Sequence, residues 1–188
     1  FPNPKRMLVV IFIFLFFFSI LIINRLFLFI DYLFVPFFIY QRLKKPVFII
    51  GPPRSGTTYL YHSLANRNNA FTCFKLWEII LAPSIIQKYI FITIITFDRL
   101  IGSPIKWFVL RIEKALIGDL KTIHPISMNM PEEDEAVLLW DLSSLYLNFF
   151  YPDSHFFDDY LLFDKNLSNK RRLAIMRRYR NYVRRHNF

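Results

Sequence analysis

Cysteine is almost absent: Cys73 is the single one in 188 residues, so no intrachain disulfide can form. Cys73 also lacks the cysteine and histidine neighbours that a metal site needs. It reads as a small core residue, and no metal is expected. Acidic residues are few beside basic ones, 14 against 24, which leaves a formal net charge of +10. That balance favours anionic partners such as lipid headgroups, nucleotides or acidic glycans. No RNA- or DNA-binding module is visible, so nucleic acid is set aside as a partner. There is no internal repeat and no low-complexity tract. Charge is lacking altogether from residues 7–23, a run of about 17 residues, close to the shortest that spans a bilayer as a helix.

What is abundant is apolar and aromatic. The chain is 54% hydrophobic and 19% aromatic, with 23 phenylalanines, which points to membrane contact. Lys5 and Arg6 precede the uncharged run. A secretory signal peptide has the same opening, but its core is shorter and small residues of the A-x-A kind come after it. None do so here, so residues 7–23 are read as a membrane anchor. A second apolar run covers 26–40. Asn24 and Arg25 separate it from the first, and Asp31 and Pro36 interrupt it. Asp31 and Arg25 would be costly in lipid, so this run is expected to lie at the interface or pack on a core. Arg25, Arg42, Lys44 and Lys45 outnumber Lys5 and Arg6, which favours a cytoplasmic position for the domain after the anchor. A helix lying in the interface is the alternative. Residues 1–45 are thus read as anchor and basic linker, and 46–188 as the folded domain.

The rest of the chain is organised around residues 46–60, Pro-Val-Phe-Ile-Ile-Gly-Pro-Pro-Arg-Ser-Gly-Thr-Thr-Tyr-Leu. Residues 47–50 form an apolar run bounded by Pro46 and Gly51, as a strand covered on both faces would. Gly51 and Gly56 bracket a four-residue loop, and Thr57 and Thr58 open a helix to about Arg67. Backbone N–H groups of such a loop curl around a phosphate, and the helix N-terminus adds about half a positive charge. The glycine spacing is that of a Walker A loop, but Thr57 stands at the lysine position. The loop's one cation is Arg54. Ordinary ATP chemistry is therefore disfavoured, and a P-loop kinase or nucleotidase is kept only as an alternative.

Further on, residues 71–74 are a candidate second strand. Residues 77–89 have a helical pattern interrupted by Pro83, and 89–97 are β-branched and apolar enough for a strand or a buried helix. Ile105, Phe108, Ile112 and Leu116 give residues 103–118 a helical spacing, and 119–130 read as a loop. Pro131 is well placed at the first position of a helix running to about Phe149, with Glu132, Glu133 and Asp134 in its first turn. Residues 169–185 are amphipathic and very basic, with Leu173, Met176, Tyr179 and Val183 as the apolar stripe. The arginine-rich remainder is either a solvated face or a contact for anionic lipid or acidic substrate.

The motif P-R-S-G-T-T after a hydrophobic strand resembles the 5′-phosphosulfate loop of sulfotransferases that use 3′-phosphoadenosine 5′-phosphosulfate (PAPS). Downstream, Phe71-Thr72, Lys75-Leu76-Trp77-Glu78, Ala82-Pro83-Ser84, His124-Pro125 and Pro131-Glu132-Glu133-Asp134-Glu135 are similar, in that order, to the P-E-E-D-E group of that family. The similarity covers about residues 31–160. It implies an α/β fold, a P-loop-type parallel sheet flanked by helices, with PAPS as co-substrate and a hydroxyl or amine of a glycan, lipid or protein as acceptor. It implies no metal. Pro53, Arg54, Ser55, Gly56, Thr57 and Thr58 would hold the 5′-phosphosulfate, with Arg54 also stabilising charge on the leaving oxygen. Glu78 stands where several branches carry a glutamate base, and His124 competes for that role because histidine titrates near neutrality. One of the acids at 132–135 would pair with Arg54 or orient a substrate hydroxyl; their alternative role is to start a helix. The family also binds the 3′-phosphate with an arginine and a serine on a later strand–helix unit. No such unit comes after Tyr160, and the chain opens at Phe1 and ends within a helical pattern. It is expected to be the N-terminal part of a longer protein and to be inactive alone. A non-catalytic membrane-associated binding protein is the remaining alternative.

Overall fold

Helix α1 spans Pro4–Phe34 without a break in the computed structural model, which describes residues 4–52, 55–66, 71–117, 127–149 and 155–188. Its stretch Met7–Phe34 is long and apolar enough to cross a membrane. The interruption suggested by Asn24 and Arg25 does not occur, because both find partners far along the chain. Asn24 Nδ2 donates to the carbonyl of Ile80 at 2.9 Å, and its Oδ1 accepts from Gln87 Nε2 at 2.7 Å. Arg25 pairs with Asp141 at 3.1 Å. Asn24, Leu28 and Asp31 recur at helical spacing on one face, and all three are buried. The N-terminal half of α1, in contrast, leaves most of its large apolar side chains exposed.

Pro36 ends α1 by opening a 3₁₀ turn, Pro36–Tyr40, whose Phe38 is fully buried against Tyr32. After the loop come α2 (Thr57–Ala65) and α3 (Leu76–Leu81). Pro83 separates α3 from α4 (Ile85–Leu100), which Ser84 caps by accepting from the amide of Gln87. A tight turn with Gly102 and Ser103 in the left-handed region leads to α5 (Pro104–Ile117). The 3₁₀ segments Asp134–Asp141, Leu145–Phe149 and His155–Tyr160 come next, then the short α6 (Phe163–Asn166) and the long α7 (Asn169–His186).

The core joins α1, α3, the Asp134–Asp141 segment and α7 through Leu28, Ile79, Val137, Leu138, Ile175 and Tyr182. Trp140 anchors α3 by donating its indole N–H to the carbonyl of Ile79 at 2.6 Å. Asp31 ties three elements together. Its carboxylate accepts from the Ser84 hydroxyl and the amides of Ile85 and Ile86, and it forms an ion pair with Arg185 of α7 at 2.9 Å. The Arg185 guanidinium lies over the rings of Phe38 and Tyr32 and also donates to the carbonyl of Leu28.

The expected α/β fold with a P-loop-type parallel sheet is overturned. The described residues are about 72% helical, and no strand or sheet occurs among them. The apolar run 47–50 is not a covered strand: Val47 and Phe48 are exposed and Ile50 is 91% exposed. A parallel strand needs neighbours to take its N–H and C=O groups, and no described residue is paired with this run in a bridge or ladder. Residues 71–74 likewise form no strand. The nearest approach to a sheet is an isolated antiparallel bridge between Lys75 and Pro131. The ambiguous segment 89–97 is helical, inside α4.

Two helical expectations also shift. Pro131 does not start an α-helix; the acids after it enter 3₁₀ segments, with Leu142 left-handed between them. In α7 the buried stripe is Ile175, Tyr182 and Arg185, while Leu173 and Met176 are exposed. Tyr179 and Val183 of the expected stripe do pack against the core, and Arg185 joins them by reaching Asp31.

Candidate functional site

Pro53 and Arg54, the centre of the candidate loop, and His124 lie outside the described residues. The flanks of the loop are described. The amide of Ser55 donates to the carbonyl of Pro52 at 3.3 Å, which closes a turn. Gly51 is closely approached by side chains: a Cβ there would lie 2.7 Å from Ser55 Oγ and 2.8 Å from Thr57 Cγ2, and both would have to turn aside. Gly56 is the N-cap of α2 with φ 84°, a left-handed conformation that favours glycine, and no side chain caps this helix. Thr57 is half-buried and Thr58 exposed. The first-turn amides of α2 are thus free of a side-chain cap, and the residue before them has no Cβ to cover them. Uncapped first-turn amides are the kind of donors that anions use at helix N-termini in general.

From α2 the Tyr61 hydroxyl donates to the carbonyl of Glu132 at 3.1 Å, which links the loop helix to the acidic segment. Burial pushes the Tyr61 hydroxyl well above its usual pKa, so it stays a neutral donor. Residues 74–77 and 128–132 run side by side. Leu76 and Trp77 donate to the carbonyls of Met130 and Met128, and Glu132 donates to that of Phe74.

Three acids of this segment are engaged by partners. Glu133 accepts from the Tyr146 hydroxyl at 2.8 Å, and Asp134 from that of Tyr179. Glu135 accepts from the Ser144 hydroxyl at 3.0 Å and the Leu145 amide at 3.2 Å. Their visible work is to fold the 3₁₀ segments back and to seat α7. The expected first turn of an α-helix is replaced by this set of side-chain contacts.

Glu78 is buried at the start of α3. Its Oε2 accepts from the Lys75 amide at 3.2 Å, which caps the helix. Lys88 Nζ approaches Oε1 at 2.8 Å, and His186 Nδ1 approaches Oε2 at 3.3 Å. Burial raises the Glu78 pKa, but hydrogen bonds and charge from His186 and Lys88 outweigh it and hold the carboxyl at about 2. It is therefore ionised at neutral pH and weakly basic. The other nitrogen of His186, Nε2, lies 2.7 Å from the Thr72 hydroxyl. Which of Nε2 and the Thr72 hydroxyl donates follows from the imidazole tautomer, and carboxylate, imidazole and hydroxyl lie in a row.

Sequence reasoning singled out Glu78 but not Lys88 and His186 beside it, nor Tyr61 on the loop helix. No local signal marks them. Lys88 reaches Glu78 only because the chain bends at Pro83, and His186 arrives from the last turn of α7.

The low pKa of Glu78 gives a pH prediction. A depressed carboxyl stabilises the fold fully above its unfolded pKa of about 4.5, and that contribution is lost as pH falls towards 2. Stability should fall by about 2–3 kcal/mol across that window through this group. Unfolding midpoints in detergent between pH 6 and 2 measure it. Glu78→Gln should flatten the profile there, and an unchanged slope in the variant would remove Glu78 as its source.

No protein-family model, curated protein or solved structure matches this chain.

Proposed function

We propose that this chain is the anchor-bearing part of a PAPS-dependent sulfotransferase. The observation that carries this reading is the P-R-S-G-T-T sequence opening directly into α2, which starts at a left-handed Gly56 with no side-chain cap. In the reading, those amides with Ser55, Thr57 and Thr58 hold the 5′-phosphate end, and Arg54 faces the transferred group. The S–O bond to the phosphate breaks, a new bond forms from sulfur to the acceptor oxygen or nitrogen, and the acceptor's proton passes to a base. Adenosine 3′,5′-bisphosphate leaves. His186, held by Glu78, is the described imidazole suited to take that proton; His124 is the other candidate. The helix Met7–Phe34 would anchor the enzyme, and Arg25, Arg42, Lys44 and Lys45 favour the cytoplasmic side.

The test uses the gene-encoded protein in host membranes, supplied with PAPS labelled in its sulfate. Label should enter membrane acceptors, and added ATP should not be hydrolysed. ATP turnover without sulfate transfer would favour a kinase or nucleotidase. Failure to bind PAPS would favour the second reading, a non-catalytic membrane-associated binding protein. One observation supports that second reading: Glu78 and three acids of the 132–135 segment are all engaged in internal contacts.

A further inference from the structure

α4 and α5 form a helical hairpin with an unusual surface. Ile92, Ile95 and Phe97 of α4 and Ile105, Phe108 and Leu110 of α5 are all exposed, on several sides of each helix. Apolar surface of this extent is rare on a monomer in water and marks a contact site. α5 packs on α4, and α4 packs on α1.

The contacts of α4 relate this surface to α1. Asp31 of α1 meets Ser84, Ile85 and Ile86, whereas Asn24, seven positions earlier, meets Gln87. α4 thus packs on the C-terminal half of α1. A shallow groove of about 380 Å³ between the end of α1 and α4, lined by Val35, Ile86, Ile90 and Ile94 among others, is almost wholly apolar.

The hairpin's polar groups suit a lipid interface. At its tip, the Asp98 carboxylate accepts from the amides of Ile105 and Lys106 at 2.7 and 3.0 Å, and the Ser103 amide donates to the Asp98 carbonyl. The start of α5 thus carries its own partners, as backbone near hydrocarbon must. The Thr96 hydroxyl is satisfied by the carbonyl of Ile92. Over α4 and α5 the basic residues Lys88, Arg99, Lys106, Arg111 and Lys114 outnumber the acids Asp98, which is buried, and Glu113. Arg111 lies over the Trp107 ring at 4.3 Å. Long cationic side chains and tryptophan are the residues that hold a helix at the level of anionic headgroups.

We propose that the α4–α5 hairpin is a second membrane-docking element, lying in the headgroup–acyl boundary of an anionic bilayer beside α1. The proposal goes beyond the transferase reading and does not need it.

Depth-dependent quenching tests it on the full chain reconstituted in phosphatidylcholine–phosphatidylglycerol nanodiscs. In a Cys73→Ser background, single labels are placed by Ile95→Cys or Val109→Cys on the hairpin, Phe14→Cys on α1 and Ser63→Cys on α2. Nitroxide carried on lipid acyl chains should quench the hairpin labels at least twofold, and aqueous iodide should leave them bright. The Ser63→Cys label should show the reverse. Iodide quenching at positions 95 and 109 equal to that at 63 would overturn the proposal, because the surface would then be in water. Labels reached by neither quencher would also overturn it, because a second copy or another protein would then cover the hairpin. The Phe14→Cys label reports the anchor separately, so failure of the anchor is distinguishable from failure of the hairpin.

Discussion

Arg185→Leu is expected to destabilise the fold by about 3–5 kcal/mol, the range for removing one partner of a buried ion pair. Asp31 is fully buried and Arg185 is 5% exposed, so the carboxylate left behind has little access to water. The loss is larger than that of one contact, because the same guanidinium packs on Phe38 and Tyr32 and donates to Leu28. Arg185→Lys should recover part of the stability, since charge is kept while the planar fork is lost. The double variant Asp31→Asn with Arg185→Leu should be more stable than Arg185→Leu alone. It removes the stranded charge and keeps an oxygen for the amides at the start of α4. Equilibrium unfolding in detergent micelles compares these variants with the unaltered chain. A loss under about 1 kcal/mol for Arg185→Leu, typical of an exposed pair, would mean that this clasp does not hold α1, α4 and α7 together.

That clasp also explains where the sequence was legible. The apolar run 7–23, the helical spacing of 103–118 and the basic amphipathic stretch at the end were all readable, because their periods are local. The continuation of α1 through Asn24, Arg25 and Asp31 was not. Their partners Gln87, Asp141 and Arg185 lie far along the chain, and no window of sequence shows that a polar residue in an apolar helix is satisfied. The buried face of α7 was legible only in part for the same reason: Tyr179 and Val183 pack on the core as their spacing suggests, but Arg185 is a core residue too.

The sheet was misread on different grounds. A bounded apolar run such as 47–50 fits a buried strand, but a strand exists only through its neighbours, and pairing is a property of the whole fold. The 3₁₀ segments after Pro131 were beyond reach as well. Pro131 with three acids behind it fits a helix start, yet Tyr146 and Tyr179 draw Glu133 and Asp134 into other bonds. Of the candidate loop, the turn at Gly56 was legible, because its left-handed φ is one that glycine favours. The surroundings of Glu78 were not, since Lys88 and His186 come from other helices.

Arg54→Ala, in the gene-encoded protein, is expected to abolish nearly all sulfate transfer under the proposed function. If Arg54 stabilises charge developing on the bridging oxygen, its loss should lower turnover more than ground-state binding of PAPS. Removing one preorganised donor of this kind costs about 3–4 kcal/mol, roughly a hundred- to thousandfold in rate. Arg54→Lys should restore part of the rate, because a point charge replaces a bidentate fork. Thr57→Lys is the informative comparison. It restores the Walker A lysine beside Gly56 and should weaken PAPS binding, since a long cationic side chain enters the start of α2. It should not create ATP hydrolysis, which also needs groups to place magnesium and a water. Labelled-sulfate transfer and PAPS binding, measured side by side for the three variants, separate these effects. Near-normal transfer by Arg54→Ala would remove Arg54 from the chemistry and return the loop to an ordinary turn ahead of a helix.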